Sequence, residues 1–488
     1  MVFSKKCVFN GIKALTVSIP LVFLAACGSS NHHSNNNNKP DLMGFMYTTT
    51  NGVGDNMVLR LSRYADGSVG NEVATVTTGL GGANPLVGGD AHGDFDSQGA
   101  IQIIGNYLLT VNAGSNDITV FKLDRATGDI TQMANVDSGG TRPVSITYTK
   151  KANSDDQYWV VVGNQWNNPN IQKGGTGEPA IERYPSDAFF KDGNSNKDLS
   201  ADDPMSDPQR NITLFSFDSS NGALTQAGGA PLATYPRQNG GPTDVVFSAD
   251  GSKLAVSTWG VAHFATKAPE LPAGEQRASR VYVYDFNTTT GAIPDAQKTK
   301  PRFFEKDGIA GTIGINWAPN SNTVIHASNF NLSTTLPDYG LTELTVGDTT
   351  VTKTQNFKTG PLGQDEACWT VLSPDNKKLY VSSFGANSIT PFTLKTDGTV
   401  DKKQAFALRS TVAPNMAPPG DTKDMYVTPD NKYLYVIGAF QSFTMNRFDV
   451  TPEGLKYVNQ YTFEQTEKSQ KNTGVHNFLG LVGFDIKK

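Results

Sequence analysis

Several side chains in this sequence have the type and spacing that binding or catalysis would need. From Asp192 the chain reads DGNSNKDLSADD, which sets oxygen-bearing side chains at Asp192, Asn194, Asn196, Asp198, Ser200 and Asp203. These fall at relative positions 1, 3, 5, 7, 9 and 12 of a calcium loop, whose alternation wraps oxygens around a hard cation. Lys197 stands where such loops have Gly for the sharp turn, and Asp203 where they have the longer Glu. A structural calcium ion and a solvated polar insertion are the two readings of this segment. Arg142, ahead of Pro143, has the fork geometry to clamp a carboxylate. His263 or His476 could act as a base near neutral pH with Glu366 as acid. Trp259 and Trp369 offer faces for a flat or sugar-like ring, and Asp244 and Lys423 offer further polar contacts. His92, with Asp90, Asp94 and Asp96, is a weaker cation candidate in a Gly- and Asp-rich connector. There is no G-x-S-x-G elbow, H-E-x-x-H, phosphate loop or cysteine-based zinc spacing, so serine-hydrolase and zinc-protease chemistry has no motif.

Whether these groups meet depends on the elements that carry them, and internal repeats define those elements. One unit is an apolar run, a turn and a second alternating run. It occurs as DVVFSADGSKLAV from Asp244, WTVLSPDNKKLYV from Trp369 and DMYVTPDNKYLYV from Asp424, with a degenerate copy, GINWAPNSNTVIHA, from Gly314. Each reads as a hairpin around an Asp-Gly, Asp-Asn or Asn-Ser turn. Asn320, Asp375 and Asp430 recur at a 55-residue spacing. A second unit follows each first one, as in DITVFKLDRATGDITQ from Asp117, NITLFSFDSSNGALTQ from Asn211 and RVYVYDFNTTTGAIPD from Arg280. Its turn ends in a glycine, Gly128, Gly222, Gly291, Gly398 or Gly454, where positive φ is needed.

Two hairpins make a four-stranded sheet, one blade of a propeller. Blades 2 to 7 are expected near residues 98–135, 142–229, 241–297, 309–358, 366–406 and 421–464. Residues 43–79 hold three further strands, and the tail HNFLGLVGFDI holds one. Placing the tail beside the N-terminal strands completes blade 1 and leaves no free edge in the ring. The expected fold is thus all-β, a seven-bladed propeller of four-stranded blades over residues 42–488, closed by its C-terminal strand. Helical periodicity is almost absent.

These repeats, and in particular SQGAIQIIGNYLLTVNAGSNDITVFKLDRATGDI followed by GGTRPVSI, resemble the lactonase family of seven-bladed propellers. Propeller-type 6-phosphogluconolactonases and carboxymuconate-lactonising enzymes are among its members. The resemblance covers nearly all of the chain after residue 42 and implies a lactone or carboxylate-bearing small-molecule ligand. Catalytic members of the family often carry His or Arg six or seven residues before the first-hairpin turn. Here those positions hold Thr243 and Asp244, Cys368 and Trp369, and Lys423 and Asp424. None is histidine, so the family's acid/base pattern has no counterpart there.

In a propeller the segments leading into the innermost strands open onto one end of the central channel. That geometry gathers Arg142, Asp244, Glu366, Asp421, Lys423 and His476 at one mouth. The loops between second and third strands add Asn112, Trp166, Trp259, His263 and Asn329. The plainer reading of each is a tie between neighbouring blades. Two functions therefore compete: a lactonase- or cyclase-like enzyme, and a non-catalytic propeller that binds a ligand, glycan or protein. Long insertions at 165–209 and 261–279 suit the second.

The N-terminus concerns location. Lys5, Lys6 and Lys13 precede the apolar run Ala14 to Phe23, and Leu24-Ala25-Ala26-Cys27 follows. About ten apolar residues broken by Pro20 are too few to span a bilayer. The last four, with Gly28, resemble the lipobox of bacterial lipoproteins; an ordinary signal peptide with an incidental cysteine is the other reading. The lipobox implies removal of residues 1–26, acylation of the Cys27 thiol (palmitate included) and a lipid anchor in the cell envelope. With Gly rather than Asp after the cysteine, it implies the outer membrane. Residues 27–41, rich in Asn and Ser, read as a flexible tether. Of the three cysteines, Cys7 would leave with the signal and Cys27 would carry lipid, so Cys368 has no disulfide partner. A net charge of −5 with mixed signs gives no basic footprint for nucleic acid. A monomer that needs no cofactor, calcium apart, is expected.

Overall fold

The computed structural model describes residues 40–52, 54–82, 97–165, 172–173, 178–179, 206–236, 241–258, 279–305, 311–329, 340–360, 367–409, 421–439, 442–464 and 476–486. Residues 41–488 form one compact unit. Apart from a two-stranded ribbon of Gln172–Lys173 and Glu178–Pro179, its strands assemble into seven antiparallel sheets arranged as blades around a channel, each with a path of four strands. The innermost strands of blades 1 to 7 are Leu479–Asp485, Ile101–Ile104, Pro143–Lys150, Pro242–Phe247, Ile315–Trp317, Ala367–Leu372 and Thr422–Val427. Each touches the innermost strand of the next, and blade 7 touches blade 1.

Closure follows the order expected from the tail. In blade 1, Val69–Leu80 is outermost, then Asp55–Tyr64, then Leu42–Thr49, with the C-terminal Leu479–Asp485 innermost. Phe45 pairs with Phe484 and Tyr47 with Val482. First and last parts of the chain thus share one ladder, which removes the edges an open ring would expose.

The core lies between blades rather than within them, because each sheet has two apolar faces to cover. One buried cluster joins Leu109, Val120 and Ile104 of blade 2 to Val144, Val160 and Phe215 of blade 3. Another joins Trp159 and Leu214 of blade 3 to Val245 and Tyr282 of blade 4. The pattern continues around the ring to Phe45, Tyr47 and Phe484 of blade 1 against Ile101 and Phe121 of blade 2.

The turn residues do what their spacing implies. Ser248, Ser373 and Thr428 hydroxyls donate to Asp250, Asp375 and Asp430 two residues on, at 2.6–2.7 Å, pinning the first hairpins. Gly128 has φ +74°, and a Cβ there would lie 2.5 Å from the Phe45 ring of blade 1. Gly291 (φ +75°) faces Trp159 of blade 3 in the same way. At both positions a glycine is needed for the turn and for the approach of the preceding blade.

Blade 4 departs from its repeat. The segment GAIPD was expected to be its outer strand, but Ala292 makes only a single bridge to Asn287. Pro294 instead opens a short helix, Asp295–Thr299, and Arg302–Glu305 is the outer strand. A proline cannot donate to a ladder but suits a helix start, and Pro301 limits the helix at its other end. Arg302 then ties this strand inward to Asp285 at 2.6 Å and outward to the Gly347 carbonyl of blade 5 at 3.0 Å.

Candidate functional site at the channel mouth

All seven innermost strands begin at the same end of the ring, and the polar residues at their starts define the mouth. On blade 4, Asp244 is 3% exposed. Its carboxylate accepts from the Ser145 hydroxyl at 3.2 Å, the Gln98 amide at 3.0 Å and the Ile315 N–H at 3.0 Å. Burial pushes this carboxyl well above the usual carboxylate range, against donors that favour the anion, and the charge of Asp424 pushes the same way. Asp424, at the matching position of blade 7, accepts the Gly480 N–H at 2.9 Å. Burial raises its pKa to about 7, with Lys423 opposing. Both acids thus tie an innermost strand to the next blade while remaining titratable.

Lys423 is fully buried. Its ammonium donates to Asn477 Oδ1 at 2.6 Å and lies 5.4 Å from the centre of the Trp369 ring. Trp369 is buried as well, and its indole N–H donates to the Ser97 carbonyl at 2.7 Å. His476 is 5% exposed, stacked on Phe478 and edge-on to Phe443, and burial lowers its pKa. Asp421 is buried against Arg409 at 3.1 Å and accepts the Ser442 N–H at 2.9 Å.

Arg142 differs from these. It is only part-buried, and it holds φ +59°, a left-handed conformation unusual for a side chain of its size. Its N–H donates to Asn116 Oδ1 at 2.8 Å and its carbonyl accepts from the Gln165 N–H at 2.9 Å. The backbone that presents the guanidinium is therefore held from both sides.

Of the residues expected on loops, Asn112 and Asn329 instead end the second strands of blades 2 and 5, and both are buried. Asn112 accepts from Asn56 at 2.9 Å and donates to Thr119 at 2.8 Å, joining blades 1 and 2. Asn329 donates to Thr342 at 2.7 Å. Glu366, His263, Trp259, Trp166, His92 with its three aspartates, the Asp192–Asp203 loop (Asp192, Asn194, Asn196, Asp198, Asp203) and Cys27 lie outside the described residues. Among the described residues no cluster of three acidic, His or Cys side chains could hold a metal ion.

Sequence reasoning missed Ser97, Gln98, Ser145 and Asn477, which connect the centre of the ring. Gln98 and Thr370 are 272 positions apart in the chain, yet the Thr370 N–H donates to Gln98 Oε1 at 2.7 Å. No local pattern encodes such a contact. Ser145 was discoverable, since it occupies on blade 3 the place that Asp244 has on blade 4.

No protein-family model and no curated protein matches the sequence. Solved structures do match its fold. A Bacteroides fragilis protein proposed to be a 6-phosphogluconolactonase aligns over 91% of this chain and 98% of its own, at 15% identity and TM-score 0.54. The periplasmic gluconolactonase of Pseudomonas aeruginosa aligns over 92% and 100%, at 14% identity and TM-score 0.53. A hypothetical selenium-binding protein of Sulfolobus tokodaii aligns over 92% and 96%, at 10% identity and TM-score 0.54. These structures share the propeller fold of this chain. At these identities the likeness extends to the fold alone, and one fold serves several functions.

Proposed function

We propose that this chain is a cell-envelope lipoprotein, anchored through lipid on Cys27 to the outer membrane, whose lactonase-like propeller takes a lactone or carboxylate-bearing small molecule at the channel mouth. The observation that carries this reading is Arg142: a part-buried residue on a backbone fixed by Asn116 and Gln165, at the end of the ring where the innermost strands begin. A planar guanidinium carried on a held backbone suits a planar carboxylate, because the backbone has no freedom left to lose on binding. Likeness in fold to a gluconolactonase supports the ligand class. Glu366, His263 and His476 are the acid and base candidates of this reading, with Trp259, Trp369, Asp244 and Lys423 around the ligand. It needs no cofactor; a calcium ion in the Asp192–Asp203 loop would be structural.

The test is a panel of sugar lactones and their open acids, with turnover followed by acid release and binding by calorimetry. Losing a charged hydrogen bond costs ~1.5–3 kcal/mol, so Arg142→Ala should weaken kcat/KM or binding roughly ten- to a hundred-fold with unchanged melting. Arg142→Lys should recover part of it. If Arg142→Ala lowers the melting temperature and leaves binding intact, the residue is a strut between blades. A second reading, binding without turnover, is favoured by the burial of Asp244, Asp424, Lys423 and His476 and their packing against neighbours. Saturable binding with no acid release would select it.

A further inference from the structure

The three residues Ser97, Gln98 and Gly99 run from the blade 1–2 connector into the first strand of blade 2, yet their partners lie on four other blades. The Gly99 carbonyl accepts the Ile146 N–H of blade 3 at 2.8 Å. On blade 4, Gln98 donates its backbone N–H to the Thr243 carbonyl and its side-chain amide to Asp244, each at 3.0 Å. On blade 5, a Cβ added to Gly314 would lie 2.3 Å from Gln98 Oε1, so the amide occupies the space a side chain there would fill. On blade 6, Gln98 Oε1 accepts from Thr370 N–H at 2.7 Å and Ser97 carbonyl from the Trp369 indole at 2.7 Å.

Blades 3 to 6 take up more than half of the ring, and blade 6 is separated from blade 2 by blades 7 and 1. One short segment can meet innermost strands of all four only by lying across the channel. We infer that Ser97–Gly99 is a built-in plug, which seals the channel just inside the mouth and clasps blades 2 to 6 to one another. Both polar ends of the Gln98 side chain are used, the amide nitrogen on Asp244 and the oxygen on Thr370, so the residue spans from blade 4 to blade 6. Gly99 has φ +85°, and a Cβ there would lie 3.0 Å from the Ser145 hydroxyl, so the chain turns down into the ring only with glycine at this point. The result is a blind channel rather than an open bore, and a second closure that acts beside the C-terminal strand.

The test uses the full chain with Gln98→Met, which fills the same space without donors or acceptors, Gln98→Ala and Gln98→Glu. Hydrogen exchange read by mass spectrometry on peptides covering Ala367–Leu372 and Ile315–Trp317 should quicken roughly tenfold in Gln98→Met, since the side-chain bonds to Asp244 and to the Thr370 N–H and hydroxyl are lost. Peptides from the outer strand of blade 2, Ile130–Asp137, should not change. Gln98→Glu sets a second carboxyl against Asp244 of blade 4, with Asp424 and Lys423 of blade 7 the other charged groups that face this centre among the described residues; blades 3, 5 and 6 present Ser145, Gly314 and Thr370. Its melting temperature should match that of Gln98→Met at pH 5 and fall below it at pH 8. Wild-type exchange in blades 5 and 6 for both Gln98→Met and Gln98→Ala would overturn the plug. So would a Gln98→Glu melting shift that is the same at both pH values, because it would put residue 98 in solvent.

Discussion

Replacing Asp424 by Asn should make the protein more stable at alkaline pH. In the folded ring, burial raises this carboxyl from 3.8 to about 7. The folded protein therefore keeps the proton up to about pH 7, whereas the unfolded chain releases it near the ordinary value. Stability falls as pH rises through that window and is level above it. A difference of about three units at about 1.4 kcal/mol each places the full penalty near 4 kcal/mol at pH 8. Asn carries no charge, and its side-chain oxygen can still accept the Gly480 N–H that Asp424 now accepts at 2.9 Å. Urea unfolding of both proteins at pH 5 and pH 8 measures the effect. Asp424→Asn should gain several kcal/mol over wild type at pH 8 and much less at pH 5. An equal change at the two values would refute the argument, as would destabilisation by Asn at pH 8. The first would mean that Asp424 does not hold its proton through the window; the second would mean that its charge is what holds blade 7 to blade 1.

Deleting residues 476–488 removes the innermost strand of blade 1 and should cost more than about 4 kcal/mol or abolish folding, read by thermal melting; a truncated chain that melts like wild type would show the closure to be dispensable. Cys27→Ser should release the protein from the detergent phase in membrane partition, and unchanged partition would exclude lipid at that residue. Calcium should raise the melting temperature of wild type but not of an Asp192→Ala, Asp198→Ala double variant; equal melting in calcium and chelator would end that proposal.

The sequence made the ring legible because each blade repeats a local pattern: alternating strands, an Asp-containing first turn and a glycine in the second. The closing strand was legible by subtraction, since one run at each terminus lacked partners. Where blade 4 departs, two prolines carry the information, Pro294 and Pro301, and the repeat pattern overrode them. The mouth was only partly legible. Lys423, Asp244 and His476 were recognisable as ionisable groups near strand starts, but burial, which decides how such groups titrate, depends on residues elsewhere in the chain. Asp244 meets Gln98 and Ile315, and Trp369 meets Ser97. Such pairings are properties of the closed ring and have no local spacing to reveal them.

The course of Leu42–Thr49 carries a consequence for orientation. Thr49 pairs with Leu479, where the innermost strand of blade 1 begins, so this strand ends at the mouth and starts on the opposite face. The chain therefore enters the propeller from its underside. A force applied to the chain through that first strand therefore reaches the ring on the face opposite the mouth, and it loads the Leu42–Thr49 ladder with Leu479–Asp485 before it loads the polar residues gathered at the strand starts.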